Sequence, residues 1–188
     1  MKKAYRFLVV IPGLFLANFC FAQSLELQLS ADALIPSGDF TASSDRAFGP
    51  TLLAVVDLND NLSLTANLGY LFFQDVNTTF SVGNNAPVTL KAETRAIPLL
   101  AGFRYYANPA SEVNLYLGGQ AGIYEFAIDT NDPGIAGLTV KAQGQGTEFA
   151  YGPVLGVRLA RLDISASYMI LDGSNLLGFR AGISLLKF

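Results

Sequence analysis

The chain has 188 residues, half of them hydrophobic, a formal charge of −3, no histidine and one cysteine. An acidic balance excludes the clustered Lys and Arg that nucleic-acid phosphates require. The missing histidine removes Ser-His-Asp and Asp-His catalysis, and one cysteine leaves no His/Cys metal cluster, so no enzyme activity, catalytic residue, cofactor or metal is expected.

Lys2, Lys3 and Arg6 precede an apolar run from Phe7 to Leu16 and a small residue at Ala22. That is the pattern of a secretory signal peptide, with cleavage expected between Ala22 and Gln23. Pro12, Gly13 and Asn18 make the run too short for a membrane anchor, and the bulky Phe19 before Cys20 does not suit a lipoprotein cleavage site. Removing residues 1–22 leaves 166 residues, a formal charge of −6 and no thiol, enough for one domain over 23–188. Within it no apolar run approaches the roughly 18 residues of a membrane helix.

The apolar residues are instead distributed by alternation. In Ser24–Pro36 every second residue is apolar, from Leu25 to Ile35, with Glu26, Gln28, Ser30 and Asp32 between, which predicts a strand. A second strand is predicted over Phe48–Leu58 and a third over Leu62–Phe73. A fourth follows over Arg95–Tyr106 and a fifth over Val113–Phe126. The sixth spans Phe149–Leu159, the seventh Leu162–Leu171 and the eighth about Leu177–Phe188. Each has the length that a tilted membrane strand needs.

Joins after the second, fourth and sixth strands are short: Asn59–Asn61, Asn108–Glu112 and Ala160–Arg161. Those after the first, third and fifth are long: Ser37–Ala47, Gln74–Thr94 and about Ala127–Gly146. This segregation predicts an all-β, eight-stranded antiparallel up-and-down transmembrane β-barrel with tight periplasmic turns and long external loops. A soluble periplasmic ligand-binding barrel is the competing architecture, with the oily face turned inward.

The glycines and charges choose between them. If the aliphatic face points outward, Gly69, Gly102, Gly118, Gly122, Gly152, Gly156, Gly178 and Gly182 all point inward. An eight-stranded bore is barely wide enough for its own side chains, so small residues must make room for large ones. Glu26, Asp32, Asp57, Arg104, Arg158, Asp163 and Arg180 share that inward face and form a candidate charge network. Arg158 and Asp163 flank the Ala160–Arg161 turn as cross-strand neighbours, and Asp32 meets Arg180 if the first and last strands close the barrel in register. "GGQAG" (Gly118–Gly122) lies mid-strand, which is the wrong place for a phosphate-cradling loop. In "DTNDPG" (Asp129–Gly134) an ordinary turn is preferred to a weak calcium loop.

The alternating strands, the segments "ALIPSGDF", "NLSLTANLGYLFF", "IPLLAGFRYY" and "FAYGPVLGVRL", and the terminal Phe188 resemble the small outer-membrane β-barrel family of diderm bacteria, which includes the OmpX-like proteins and the OmpA membrane domain. The resemblance covers essentially the whole mature chain. It implies an outer-membrane location, contact with outer-membrane lipids, and Phe188 as the residue read by the barrel-assembly machinery. The last strand departs from the family pattern. Counting back in twos from Phe188 gives Leu186 and then Ser184, whereas the oily phase is Leu185 and Ile183, so a bulge near Leu185–Leu186 is required to bring Phe188 to the lipid side.

The functional expectation is a non-enzymatic barrel with a mostly packed polar interior and a structural or surface-interaction role. The long loops are the expected contact with an extracellular surface or protein. "TTFSV" and "VTLKA", around Gly83–Pro87, are strand-like pieces able to extend a hairpin above the membrane. Inward Leu53, Val55, Leu71, Leu100, Val154, Met169 and Leu171 argue for a plugged bore. The alternative is a narrow channel, or a lateral path for small apolar solutes as in OmpW-like relatives.

Overall fold

The structure, a computed structural model, describes residues 24–38, 46–74, 76–80, 88–131 and 141–188. The expected signal segment and part of Asp129–Gly134 lie outside the described residues. The strands are β1 (Ser24–Gly38), β2 (Ala47–Asp57), β3 (Leu62–Gly69), β4 (Leu71–Phe73), β5 (Val76–Phe80), β6 (Val88–Tyr106), β7 (Val113–Asn131), β8 (Lys141–Leu159), β9 (Leu162–Ile170) and β10 (Ser174–Lys187). β3, β4 and β5 follow one another along a single stave, which makes eight staves in all. The break between β3 and β4 lies opposite Ile97–Pro98 of β6, where a proline cannot donate to the ladder.

Every pairing is antiparallel, and β10 returns to β1, so the sheet closes on itself. Following one row of partners around the sheet takes Ser24 to Asp57, Ser63, Arg104, Gly118, Val154, Ser167, Gly178 and finally Leu34. The row returns to β1 ten residues beyond its start. With strands about 4.8 Å apart and a rise of about 3.3 Å per residue, that stagger corresponds to a tilt of roughly 40°.

The sheet has two unlike faces. Leu29, Leu52, Leu99, Phe103, Leu117, Leu155, Phe179 and Ile183 point away from the axis and are exposed, while Glu26, Asp32, Arg104 and Asp163 point inward and are buried. A soluble ligand-binding barrel has the opposite arrangement. Along β7 the outward apolar residues run from Val113 to Ile123 before Glu125 interrupts them. At the same rise and tilt this belt is about 25 Å tall, the height of a transmembrane band.

Three features differ from the sequence expectation. β7 and β8 do not end in a loop near Ala127–Gly146. Their ladder continues to Asn131 opposite Lys141. Likewise β6 starts at Val88, earlier than Arg95, and β5 pairs with its first residues, so Thr78–Phe80 and Val88–Ala92 form strand as the hairpin expectation had it, while residues 81–87 lie outside the described ones. Polar and glycine-rich residues hide this extension from any search for apolar alternation. The third difference is at the last strand, where the register shifts opposite Leu27 and Gln28. Ser184 partners Gln28 and Leu186 partners Leu27, which leaves Leu185 as the extra residue of a bulge. Beyond the bulge, Leu186 and Phe188 face outward, and Phe188 exchanges backbone hydrogen bonds with Leu25.

The tightest turn joins β8 to β9 through Ala160 and Arg161, and Ala160 has a φ of 51°. An L-residue with a Cβ is strained in that left-handed region, where glycine is at ease. Ala160→Gly is therefore expected to stabilise the barrel by about 0.5–1 kcal/mol. A rise in the urea midpoint of reversible unfolding from lipid vesicles checks it, and a fall would show that the turn is not strained.

Candidate functional site

The lumen is the only place where the fold gathers the charged residues singled out in the sequence, apart from Asp57 at its mouth. Two ion pairs sit toward the end that carries the tight turns. Arg158 of β8 donates to Glu26 of β1, and Gln28 donates to the other oxygen of Glu26 at 2.7 Å. Arg104 Nη1 of β6 donates to Asp163 Oδ2 of β9 at 2.7 Å, and the Tyr116 hydroxyl of β7 donates to Asp163 Oδ1 at 2.7 Å. The Arg104 guanidinium also lies over the Tyr116 ring, 4.4 Å from its centre. Each carboxylate thus has two donors, which offsets the desolvation cost of burying a charge.

Arg158 and Asp163 do stand directly opposite each other in the ladder. Their ionic partners, however, lie across the bore and not beside them. Cross-strand adjacency fixes where the backbones lie, but inside a narrow barrel a long arginine reaches strands that are distant along the sheet. The third pair lies higher and does follow the ladder: Arg180 Nε and Nη2 donate to the two oxygens of Asp32, each at 2.7 Å, across the β1–β10 seam. Thr51 of β2 donates to the same carboxylate at 2.9 Å.

Asp57 stands apart from the other charges. It accepts from the Ser24 and Ser63 hydroxyls and lies 3.8 Å from Lys187, which is mostly exposed. Its partner is a surface lysine, not a lumenal arginine. Sequence reasoning missed Gln28 and Thr51 as carboxylate donors, although both lie on the inward phase of their strands. Nor does the sequence mark Tyr116 as a carboxylate donor. The room for that ring comes from Gly156, where an added methyl group would overlap the Tyr116 hydroxyl end.

Above the charges the lumen changes character. Leu34, Leu71, Phe73, Leu100, Tyr124, Phe126, Met169, Leu171 and Leu176 form one buried apolar cluster toward the end that carries the long connections. Tyr124 and Phe126 stack with ring centres 6.0 Å apart. The interior is therefore layered, polar below and apolar above, so the expected polar interior is found only in the lower part, and the inward Leu71, Leu100, Met169 and Leu171 lie in the upper one. An open vestibule of about 1190 Å³ at the turn end reaches inward to Tyr106, Asn114 and Arg158. The internal cavity beside Asp32, Gln120 and Arg180 measures only about 20 Å³, enough for about one water molecule. Among the described residues no group of three or more His, Cys, Asp or Glu is arranged to hold a metal.

At the other end four strands outlast the rest among the described residues. Asn77, Lys91, Asn131 and Lys141 form one row across β5, β6, β7 and β8, whereas β8 loses β9 after Tyr151 opposite Ile170. A four-stranded sheet therefore rises past the apolar belt on one side of the rim.

No family model matches the chain, and no curated protein matches it in sequence. Solved structures do match in three dimensions. Ail, the attachment invasion locus protein of Yersinia pestis, superposes with a TM-score of 0.59 at 16% identity, covering 88% of this chain and 98% of its own. Neisserial surface protein A gives 0.55 at 17% identity, over 86% of this chain and 96% of that one. OprG from Pseudomonas aeruginosa gives 0.51 at 11% identity, over 89% and 97%.

The fold is that of a small outer-membrane β-barrel.

In an outer-membrane barrel of this width the interlocked lumen carries much of the stability. Asp163→Ala leaves Arg104 buried without its partner and is expected to cost about 3–5 kcal/mol. Replacing both residues with apolar ones, Arg104→Met with Asp163→Leu, is expected to recover most of that loss. Lys187→Ala, which removes a mostly exposed lysine 3.8 Å from Asp57, should cost no more than about 1 kcal/mol. Urea unfolding of the three variants beside the wild type in one lipid tests the ranking, and equal losses for Asp163→Ala and Lys187→Ala would refute it.

Proposed function

We propose that this protein is a non-conducting, non-enzymatic barrel of the outer membrane that acts through its external rim. The observation that carries the reading is the layered lumen. Two crossing ion pairs and a buried apolar cluster fill the bore in series, and the cavity beside Asp32, Gln120 and Arg180 is about the size of one water. A conducting path requires both layers to open together. The apolar layer alone opposes hydrated ions, because nothing in it replaces their water.

The rim supports the positive half of the reading. The sheet formed by β5 to β8 stands beyond the belt, where a protein anchored in lipid meets its surroundings. The structural neighbours lend a precedent of kind. One is named for attachment and invasion, and a further structure of it holds the heparin analogue sucrose octasulfate. Another is named as a surface protein. This chain lacks histidine and, after the expected processing, any thiol, and the lumenal carboxylates Glu26, Asp32 and Asp163 are each engaged by an arginine, which supports a structural role for them.

Purified barrel in planar bilayers is expected to show no stepwise conductance, while deletion of residues 132–140 abolishes adhesion of expressing cells to a protein-coated surface and leaves the heat-modifiable folded band intact. Discrete conductance steps from the wild-type barrel would overturn the closed-lumen reading. Undiminished adhesion after the deletion would overturn the part assigned to the rim.

A further inference from the structure

The end of the barrel that carries the tight turns is ringed, from Ser24 onward, by described residues. In an outer-membrane barrel that end faces the periplasm. Its vestibule of about 1190 Å³ is large enough for a ligand of several residues' bulk. The walls show what chemistry such a ligand needs.

The inner end of the vestibule has more donors than acceptors. Arg158 gives one N–H to Glu26 and has others that this bond does not use. Asn114 accepts from the Asn108 amide through Oδ1, at 3.4 Å, which leaves its NH2 group for donation. Just beneath them the almost fully buried Tyr106 carries a hydroxyl with no hydrogen-bond partner among the described residues. Arg104 and Arg158 lie beside it, but a guanidinium only donates, so the hydroxyl proton has no acceptor. The group that suits such a floor is a carboxylate, which accepts at both oxygens and donates at neither.

The mouth above this floor is divided by charge. Going round it from β1, the β2–β3 turn brings Asp60 and the β6–β7 turn brings Glu112. The β8–β9 turn then brings Arg161, and the end of β10 brings Lys187. All four are exposed. Asp60, Glu112 and Arg161 form no ion pair among the described residues, and Lys187 forms only the long one to Asp57. Free acids therefore stand on one side and free bases on the other. Such a field orients a ligand that carries both signs of charge, and it repels neither end.

We propose that this vestibule binds the carboxyl end of a peptide that also carries an ammonium group beside that end. The carboxylate accepts from Arg158 and Asn114 on the floor and lies toward Arg161. The ammonium turns to the opposite wall, toward Asp60 and Glu112. An anion alone would leave the acidic wall unmatched, and a cation alone would meet a floor made of donors. The inference goes beyond the part assigned to the rim and does not depend on it, since the two lie at opposite ends of the barrel.

The test uses the full barrel in lipid nanodiscs, which leave both ends open to solvent. Three dye-labelled peptides are compared by fluorescence anisotropy. The first is Gly-Gly-Lys-Ala with a free carboxylate, the second is its carboxyl-terminal amide, and the third is the free acid with norleucine in place of Lys. The first is expected to bind about tenfold more tightly than either of the others. Arg161→Gln should shrink the preference for free acid over amide and keep the preference for Lys over norleucine. Glu112→Gln should do the converse. Both residues are exposed in turns, so the folded, heat-modifiable band is expected to persist. Deletion of residues 132–140, at the far end, should leave all three affinities unchanged.

Equal binding of the three peptides, or no binding at millimolar concentration, would overturn the proposal. So would an equal weakening of all three by Arg161→Gln and Glu112→Gln, because a merely structural change has no reason to follow one charge on the ligand. Binding that disappears with the deletion would also overturn it, by placing the site at the rim.

Discussion

Lipid offers no hydrogen bonds, and that one fact organises this molecule. Every amide and carbonyl inside the belt must find a partner in the protein, which a sheet can arrange only by closing on itself. The β1–β10 ladder accomplishes the closure, and its stagger of ten residues sets the tilt and hence the width of the bore. Eight strands at that tilt enclose a lumen too narrow for bulk water and too wide to stay empty. The rest of the structure fills it.

The filling answers two different requirements. Near the tight turns, Arg104, Arg158 and their carboxylates tie strands that never touch through the backbone: β6 to β9, and β8 to β1. These struts brace the cylinder across its diameter, which backbone ladders cannot do because they run only around the circumference. Near the long connections the apolar cluster needs no directed partners and excludes water by packing alone. A charged strut is expensive to desolvate but highly directional, and an apolar plug has the converse properties. Placing the directional elements beside the tight turns puts them where the backbone is best fixed.

The belt could be read in the sequence because its signal has period two and its faces differ in solubility. Leu25 to Ile35 on β1 and Leu62 to Phe72 on the third stave show it without ambiguity. The seam pair Asp32–Arg180 could be read as well, since it follows from counting along two ladders that must meet. The crossing pairs could not, because pairing across a bore depends on the barrel's diameter and on side-chain reach, neither of which is a local property. Nor could the upper parts of β7 and β8, where "KAQGQG" has neither alternation nor β-branched residues to mark a strand. Those residues are strand because β6 and β7 below them are already aligned, so the ladder propagates upward without help from side chains. The bulge at Leu185 was legible only as a contradiction between two phases, one counted from Phe188 and the other from Ile183.

The hydrogen bonds between Leu25 and Phe188 have a consequence for the order in which the staves are written along the chain. The described strands begin and end side by side, joined by an antiparallel ladder like the others apart from its bulge. Only the missing turn and the bulge at Leu185 mark this seam as a beginning. A short linker from Phe188 to Ser24 would make it an ordinary hairpin, and the chain could then be cut at one of the long connections instead. The same barrel would result from a rotated sequence. Its architecture belongs to the ring of neighbours, and the linear order of the gene is one of several ways to spell it.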